Sequence, residues 1–366
     1  MKGSVLKKFL CTCLVTAAAL AATTISASAC TTIYVGGDLV EEGTPFVART
    51  EDYGSDYNKL WFISESGKWK QGDHYVGCPE YGPFEWDFTH DSYRFTYFTN
   101  DIYYDGICPE CGEKADHYSY TEFGTNEKGV SVSATETLYG NEKVTEADPY
   151  RDAEWAEANK SERIGIEETD IPTIILAEAS SAREGVKLLL DIYENYGCVA
   201  ASGVFVCDKD EVWYVENCSG TQYVAIKLND NMIFLEPNMA VIGRVDLDDE
   251  NVIASKDLIA VAKKAGTFVG DEAKNIIDFR ASYARISEKM DQRMIDGLNY
   301  LNATYKYDSD ALVADNTKFT ISNLDASDKL VALYTNIKAD RKLDKDDVFG
   351  YYKLSSIGKA SNQEIE

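Results

Sequence analysis

The chain has 366 residues, 36 Lys and Arg against 62 Asp and Glu, and a formal net charge of −26. A surface this acidic repels a polyphosphate backbone, which argues against nucleic acid as a partner. Beyond residue 29 no stretch is apolar for long enough to span a bilayer, and residues 30–366 suffice for one large core or two modest ones.

Residues 1–29 have the layout of an export signal: a basic start with Lys2, Lys7 and Lys8, an apolar stretch from Phe9 to Ala22, and a small-residue run ending in Ala27-Ser28-Ala29. Cleavage after Ala29 makes Cys30 the first residue and leaves 33 basic residues against 62 acidic ones. The expected product is a secreted or cell-surface protein of one domain, residues 30–366. A lipoprotein also places a Cys directly after its signal, and that alternative stands beside the first. Against it, Ala27 stands where lipoproteins carry Leu or a similar residue, and Thr31-Thr-Ile-Tyr-Val35 reads as a buried strand rather than a polar linker.

The expected elements continue with a second strand at Pro45–Arg49, across the Gly36-Gly37 punctuation. Residues from about 65 to 120 are dense in aromatics and Gly with little periodicity, and read as an insertion lying over a sheet and able to cover a ligand. Phe123–Leu138 returns to strand character through Gly129-Val-Ser-Val-Ser-Ala134. Ile171–Tyr196 reads as helical and is ended by Gly197. Strands are expected at Gly203–Cys207, Glu211–Val215, Tyr223–Leu228 and Met232–Leu235, and helices at Leu258–Lys264 and Ile286–Leu301. This mixture predicts layered α and β structure.

Nine Cys are present, of which Cys11 and Cys13 leave with the signal. Seven remain, an odd number that leaves at least one thiol, assigned to Cys30; Cys78, Cys108, Cys111, Cys198, Cys207 and Cys218 are free to pair in ways sequence does not reveal. Cys108-Pro-Glu-Cys111 with Cys78, His74 and His117 could hold zinc, although export favours disulfides.

An N-terminal Cys supplies nucleophile and base from one residue. Its α-amine titrates near about 8 and its thiol near about 8.5, so the amine can take the thiol proton at neutral pH. That suits a chain with only three His, all between residues 74 and 117.

Cys30-Thr-Thr-Ile-Tyr-Val-Gly-Gly37 with Ala48-Arg49-Thr-Glu-Asp52 resembles the start of the dipeptidase A family, which is related to choloylglycine hydrolases and penicillin V acylases among the N-terminal nucleophile hydrolases. Asn126–Val130, Thr135–Leu138, Gly165–Glu168, Ala182–Val186, Val212–Glu216 and Pro237-Asn238 continue the resemblance in family order. The ordered set, over roughly residues 30 to 300, carries the specificity.

The resemblance implies an α+β fold, a four-layer αββα sandwich, with Cys30 at the end of a central strand. It implies that Arg49 lies beside the nucleophile, that Asp52 holds the amine, and that Asn238 donates to an oxyanion. A looser correspondence makes Arg293 a further active-site residue. Glu136, where bile-salt hydrolases have Asn, is expected to receive a substrate's free amine. No metal or other cofactor is expected, short peptides are the expected substrates, and an oligomer is left open.

Each residue also has a plainer reading: Arg49 and Asp52 as a surface ion pair, Asn238 as a turn residue, Glu136 as a solvated strand residue, Trp213 as core. Family members run further, and residues 357–366 resemble an internal family stretch, so the fold is expected to be C-terminally shortened. The alternatives are an acylase acting on bile-salt, penicillin or related amides, and a non-catalytic surface lipoprotein on a decayed hydrolase fold.

Overall fold

The structure is a computed structural model that describes residues 30–51, 59–77, 84–100, 121–135, 138–285, 291–301, 341–354 and 356. In chain order β1 (Thr31–Val35) and β2 (Phe46–Thr50) are followed by β3 (Lys59–Ser64), β4 (His74–Val76), β5 (Glu85–Asp87), β6 (Phe95–Asn100), β7 (Phe123–Asn126) and β8 (Ser131–Thr135). Four helices come next: α1 (Glu142–Ala147), α2 (Ala153–Asn159), α3 (Ile171–Glu178) and α4 (Ala182–Asn195). Then come β9 (Gly203–Cys207), β10 (Val212–Asn217), β11 (Tyr223–Lys227), β12 (Ile233–Glu236), β13 (Arg244–Asp246) and β14 (Val252–Ala254). The chain continues through α5 (Leu258–Ala265), β15 (Gly270–Asp271), β16 (Ile276–Asp278), α6 (Phe279–Tyr283), α7 (Gln292–Leu301) and α8 (Lys345–Tyr352).

Two antiparallel sheets matter for the site. The small one runs β12–β1–β2, and the large one runs β14–β11–β10–β9–β8–β7–β6–β3. Directly paired residues of antiparallel strands share a face, so the registers define one row across all eight large-sheet strands: Trp61, Phe98, Phe123, Ser133, Phe205, Tyr214, Ile226 and Val252. In the small sheet the matching row is Phe234, Tyr34, Val47. These rows face each other, because the Phe234 ring lies 5.7 Å from Phe205 and 4.7 Å from Tyr214. Burying each such ring is worth roughly 1.5–3 kcal/mol.

The large sheet's opposite face carries Val132, Ala134, Val204, Val206, Trp213 and Val215, packed with the buried residues of α3 and α4. All eight residues of α3 are buried. In α4 the buried positions Ala182, Gly185, Val186, Leu189, Ile192 and Tyr193 recur at helical spacing. A Cβ on Gly185 would come 2.7 Å from Ile175 and 3.1 Å from Val206, so its absence lets α4 settle on both α3 and the sheet. The small sheet's outer side is covered by α7 and α8: a Cβ on Gly297 would meet both Tyr351 and Leu235, and Tyr352 Oη donates to Thr31 O at 3.3 Å. The layers are therefore helix, sheet, sheet, helix, the αββα order that the resemblance implies.

Two differences from the expectations have local causes. The 171–196 helical region is two helices, because Ser181 leaves the helix to cap α4 by accepting from Glu184 N at 3.2 Å. Of the region 65–120, expected as an irregular cover, the described residues 65–77 and 84–100 contribute β6 to the large sheet and Tyr75, Phe84, Phe88 and Phe95 to the core beneath the helices, all at most 2% exposed. Its aromatics lack periodicity because β4, β5 and their connections each supply only one or two buried rings. Trp213 is fully buried, with its indole N–H donating to Glu211 at 2.9 Å.

Candidate active site

Cys30 immediately precedes β1 and is 4% exposed. Along β1 the side chains alternate, and Tyr34 and Thr32 face the large sheet, so Cys30 belongs to that face too. Thr32 pairs with Arg49 on β2, which brings the guanidinium into the same space. Arg49 Nη1 donates to Ala134 O at 2.6 Å, to Ser133 Oγ at 3.0 Å and to Glu122 O at 3.4 Å, while Nη2 lies 3.9 Å from Cys30 Sγ. Burial works against the Arg49 charge, but Cys30, Glu168, Glu51 and Glu122 outweigh it and hold its pKa above the ordinary arginine value. The result is a cation fixed to the large sheet and directed at the sulfur, which favours thiolate.

Behind Arg49 lies an ionic cluster that sequence reading missed. Lys59 Nζ sits 2.5 Å from Glu51 Oε1 and 2.6 Å from Glu122 Oε1. Burial, reinforced by the hydrogen bond to Glu51, pushes the Glu122 carboxyl up, while Glu51 is held below the usual carboxylate range despite its own burial. Glu51 directly follows Thr50, the β2 residue paired with Thr31, at the end of the small sheet where Cys30 precedes β1.

On the other flank the chain leaves β12 through Pro237 into Asn238, which adopts φ 49°. Asn tolerates this left-handed conformation better than most residues. Arg293, on the first turn of α7 and 6% exposed, gathers the pieces. Its Nη1 donates to Cys30 O at 2.9 Å, Thr31 Oγ1 at 3.0 Å and Asn238 Oδ1 at 2.8 Å, and its Nη2 donates to Pro237 O at 3.1 Å. Asp291 holds the guanidinium in a fork, Nε to Oδ1 at 2.9 Å and Nη2 to Oδ2 at 2.8 Å. A guanidinium only donates, so the atom of Asn238 facing it is the oxygen. The amide nitrogen then points the other way, as a donor.

Of the residues singled out from sequence, Cys30, Arg49, Asn238 and Arg293 come together, while Asp52 and Glu136 lie outside the described residues. So do residues 1–29, Cys78, Cys108, Cys111 and His117. Asp291 precedes Arg293 by two residues at a helix start, a spacing that could have suggested the fork. Cys198, Cys207 and Cys218 are thiols, like Cys30. His74, a candidate zinc ligand by sequence, has Nδ1 2.7 Å from Asp87 Oδ1, and no cluster of three or more metal-ligating side chains occurs among the described residues. A cavity of about 490 Å³ lined by Arg151, Trp155, Arg163 and Tyr196 includes none of the Cys30 cluster.

Glu216 is a second residue that sequence reading passed over as chemistry. It is fully buried on β10, where Oε1 accepts from Val241 N at 2.6 Å and Oε2 from Ile242 N at 3.2 Å, tying down the segment that follows Asn238. Burial pushes its carboxyl up to about 8 against those two donors, and Glu236 adds to the rise. An unfolded Glu titrates near about 4.3. The folded chain therefore holds more protons between these values, and the stability present at low pH is lost as pH rises through about 8. Asp278, pushed up to about 6 by burial, acts in the same direction. Thermal midpoints are expected to fall between pH 5 and 8, by a loss on the order of a few kcal/mol, and Glu216→Gln should flatten the slope; a wild-type midpoint that rises across this range contradicts the assignment.

The model of Peptidase family C69 matches residues 29–322. A protein named probable dipeptidase B from Streptococcus pyogenes serotype M6 is 32% identical over 304 residues, covering 81% of this chain and 55% of its own length. One named probable dipeptidase from Salmonella dublin is 32% identical over 262 residues, covering 70% and 53%. The chain thus spans about half the length of the curated relatives it matches. A solved structure, a mutant of the conjugated bile acid hydrolase from Clostridium perfringens, shares 13% identity over 66% of this chain and 59% of its own, with a TM-score of 0.27. With a family model covering most of its length, this chain belongs to Peptidase family C69.

Proposed function

We propose that this protein is an exported dipeptidase whose nucleophile, Cys30, becomes active when removal of residues 1–29 frees its α-amine. One observation carries the reading: the Arg293 guanidinium grips both the Cys30 carbonyl and the Asn238 side-chain oxygen, with Arg49 3.9 Å from the thiol on the other side. Nucleophile, cation and oxyanion donor are thereby held in one frame. The dipeptidase names of the relatives support the substrate class.

In this mechanism the Cys30 amine takes the thiol proton and the sulfur attacks the peptide carbonyl. Asn238 Nδ2 and a backbone N–H donate to the oxyanion, an arrangement that matters most as charge develops on oxygen. The C–N bond breaks, the leaving amine takes the proton from the Cys30 ammonium, and the acyl group remains as a thioester. Water, deprotonated by the same amine, then cleaves the thioester and returns the thiol. Asp52 is proposed to hold the amine and Glu136 the substrate's free ammonium.

The test is a substrate panel applied to the processed protein. Dipeptides with free amino ends are expected to be cleaved, with bile-salt and penicillin amides turned over at least about a hundredfold less efficiently. The reverse preference makes the protein an acylase. Intact mass of the secreted protein reports on export: a free Cys30 terminus is expected, and an added diacylglycerol would identify a lipoprotein.

A further inference from the structure

Between Ile164 and Ala179 every residue except Glu168 is buried. Its neighbours Glu167, Thr169 and Asp170 are at most 4% exposed, and Thr169 Oγ1 donates to the Glu167 carboxylate. The turn before α3 thus packs three side chains inward and leaves the fourth partly open. Both flanks of the turn are fastened to the end of the large sheet that holds Arg49. Ile166 N donates to Gly197 O at 3.0 Å and Val199 N to Ile166 O at 3.1 Å, along the chain that enters β9. Gly203, which opens β9, pairs with Thr135 at the end of β8, next to the Ala134 carbonyl that accepts from Arg49. On the other flank Thr173 Oγ1 donates to Thr121 Oγ1 at 2.7 Å, one residue before Glu122, whose carbonyl also accepts from Arg49.

The charge on Arg49 responds to that placement. Of the groups acting on its guanidinium, Cys30 and then Glu168 are the strongest, ahead of Glu51 and Glu122. Glu51 and Glu122 share the Lys59 ammonium, and burial keeps the Glu122 carboxyl protonated at neutral pH, so that trio adds no net charge. Glu168 adds a negative one. In a dipeptide a single Cα separates the α-ammonium from the scissile carbonyl carbon, a distance of about 2.5 Å. With that carbon at Cys30 Sγ, the ammonium enters the neighbourhood of Arg49 Nη2, which lies 3.9 Å from the sulfur. Two cations repel one another there. A carboxylate close to both offsets the repulsion and gives the ammonium a charge-assisted hydrogen bond.

We infer that Glu168 is a specificity-determining residue of the Cys30 site, receiving the free α-ammonium of the substrate together with Glu136. The inference rests on the dipeptidase reading and deepens it, because the bond cleaved is then the one that follows the amino-terminal residue. An N-acylated peptide offers a neutral amide in place of the ammonium and loses the contact.

The experiment assays the processed wild type and Glu168→Gln on Ala-Ala and on N-acetyl-Ala-Ala. The ratio of kcat/KM for the free peptide to that for the acetylated one is expected to fall about tenfold or more in the variant, mainly through a higher KM for Ala-Ala. A carboxylate that acts only through Arg49 would change both substrates alike and shift the pH profile of Cys30 alkylation. An unchanged ratio therefore overturns the inference, whatever happens to the separate rates. If wild type cleaves no dipeptide, the dipeptidase reading fails by itself, and binding decides the role of Glu168 separately. Calorimetric titration of the processed Cys30→Ala protein should show a preference for Ala-Ala over its N-acetyl derivative that drops about tenfold on adding Glu168→Gln; an absent or unaltered preference overturns the inference.

Discussion

A protein processed to begin at Cys30 and carrying Cys30→Ala is expected to lose at least about a thousandfold in kcat for dipeptide hydrolysis, because the substitution removes the covalent route itself rather than one contribution to it. Cys30→Ser is expected to lose nearly all activity as well. Arg49, 3.9 Å from the sulfur, can favour a thiolate, but a serine hydroxyl ionises too weakly to respond in the same way. The second arm keeps the thiol and blocks the amine: a chain that retains residues 1–29, or even one residue ahead of Cys30, has an amide where the mechanism needs a base. It should be inactive while its thiol still reacts with an alkylating reagent. Full turnover by the blocked protein would place the base elsewhere and remove export as the activating step.

Asn238→Gly is expected to lower kcat by about a hundred- to a thousandfold with little change in KM, the effect of deleting one oxyanion donor, or about 3–4 kcal/mol. Glycine is the informative replacement. Asn238 sits at φ 49°, where Ala would add backbone strain but Gly adds none. A kcat loss shared by Ala and Gly, with the thermal midpoint lowered only for Ala, assigns the effect to the amide. The orientation of that amide follows from Arg293, which contributes donors alone and holds Oδ1 at 2.8 Å. If Asn238→Gly retains wild-type kcat, the oxyanion is stabilised by other donors and the geometry around Arg293 serves only to brace Cys30.

How much of this was legible beforehand varies with the kind of interaction. The strand after Cys30, the paired strand ending at Arg49, and β9 to β12 were readable because β-branched and aromatic runs between turn residues are a local signal. Helix α4 was readable from its spacing, but the break before it was not, since it depends on Ser181 leaving the helix to cap it. The aromatic segment from 65 to 100 was misjudged for the opposite reason. Phe95 and its neighbours are buried by α3 and α4, which come some 80 residues later, and nothing local marks β6 as a strand of the large sheet.

The candidate site divides the same way. Cys30, Arg49, Asn238 and Arg293 were identified by type, order and resemblance, yet their separations of up to 263 positions say nothing of distance. Glu51 and Glu216 lie in segments that carry the resemblance, but no sequence feature assigned either a role, and Lys59 and Glu122 belong to no such segment. Each is an ordinary charged residue until folding removes its water and supplies partners from another strand.

The sequence by itself determined the chemical types available at the site, the strand that presents Cys30, a layered α and β architecture and the acidic surface, because these depend on composition and local periodicity; the αββα order came from the resemblance that the ordered motifs carry. Only the tertiary structure decided which atoms meet: that one guanidinium joins Cys30 to Asn238, that Arg49 is anchored on β8, and that a single cross-strand row runs from the core into exposed aromatics. Those outcomes depend on sheet register and on how one sheet lies over another, where a shift of one residue would turn every side chain to the opposite face.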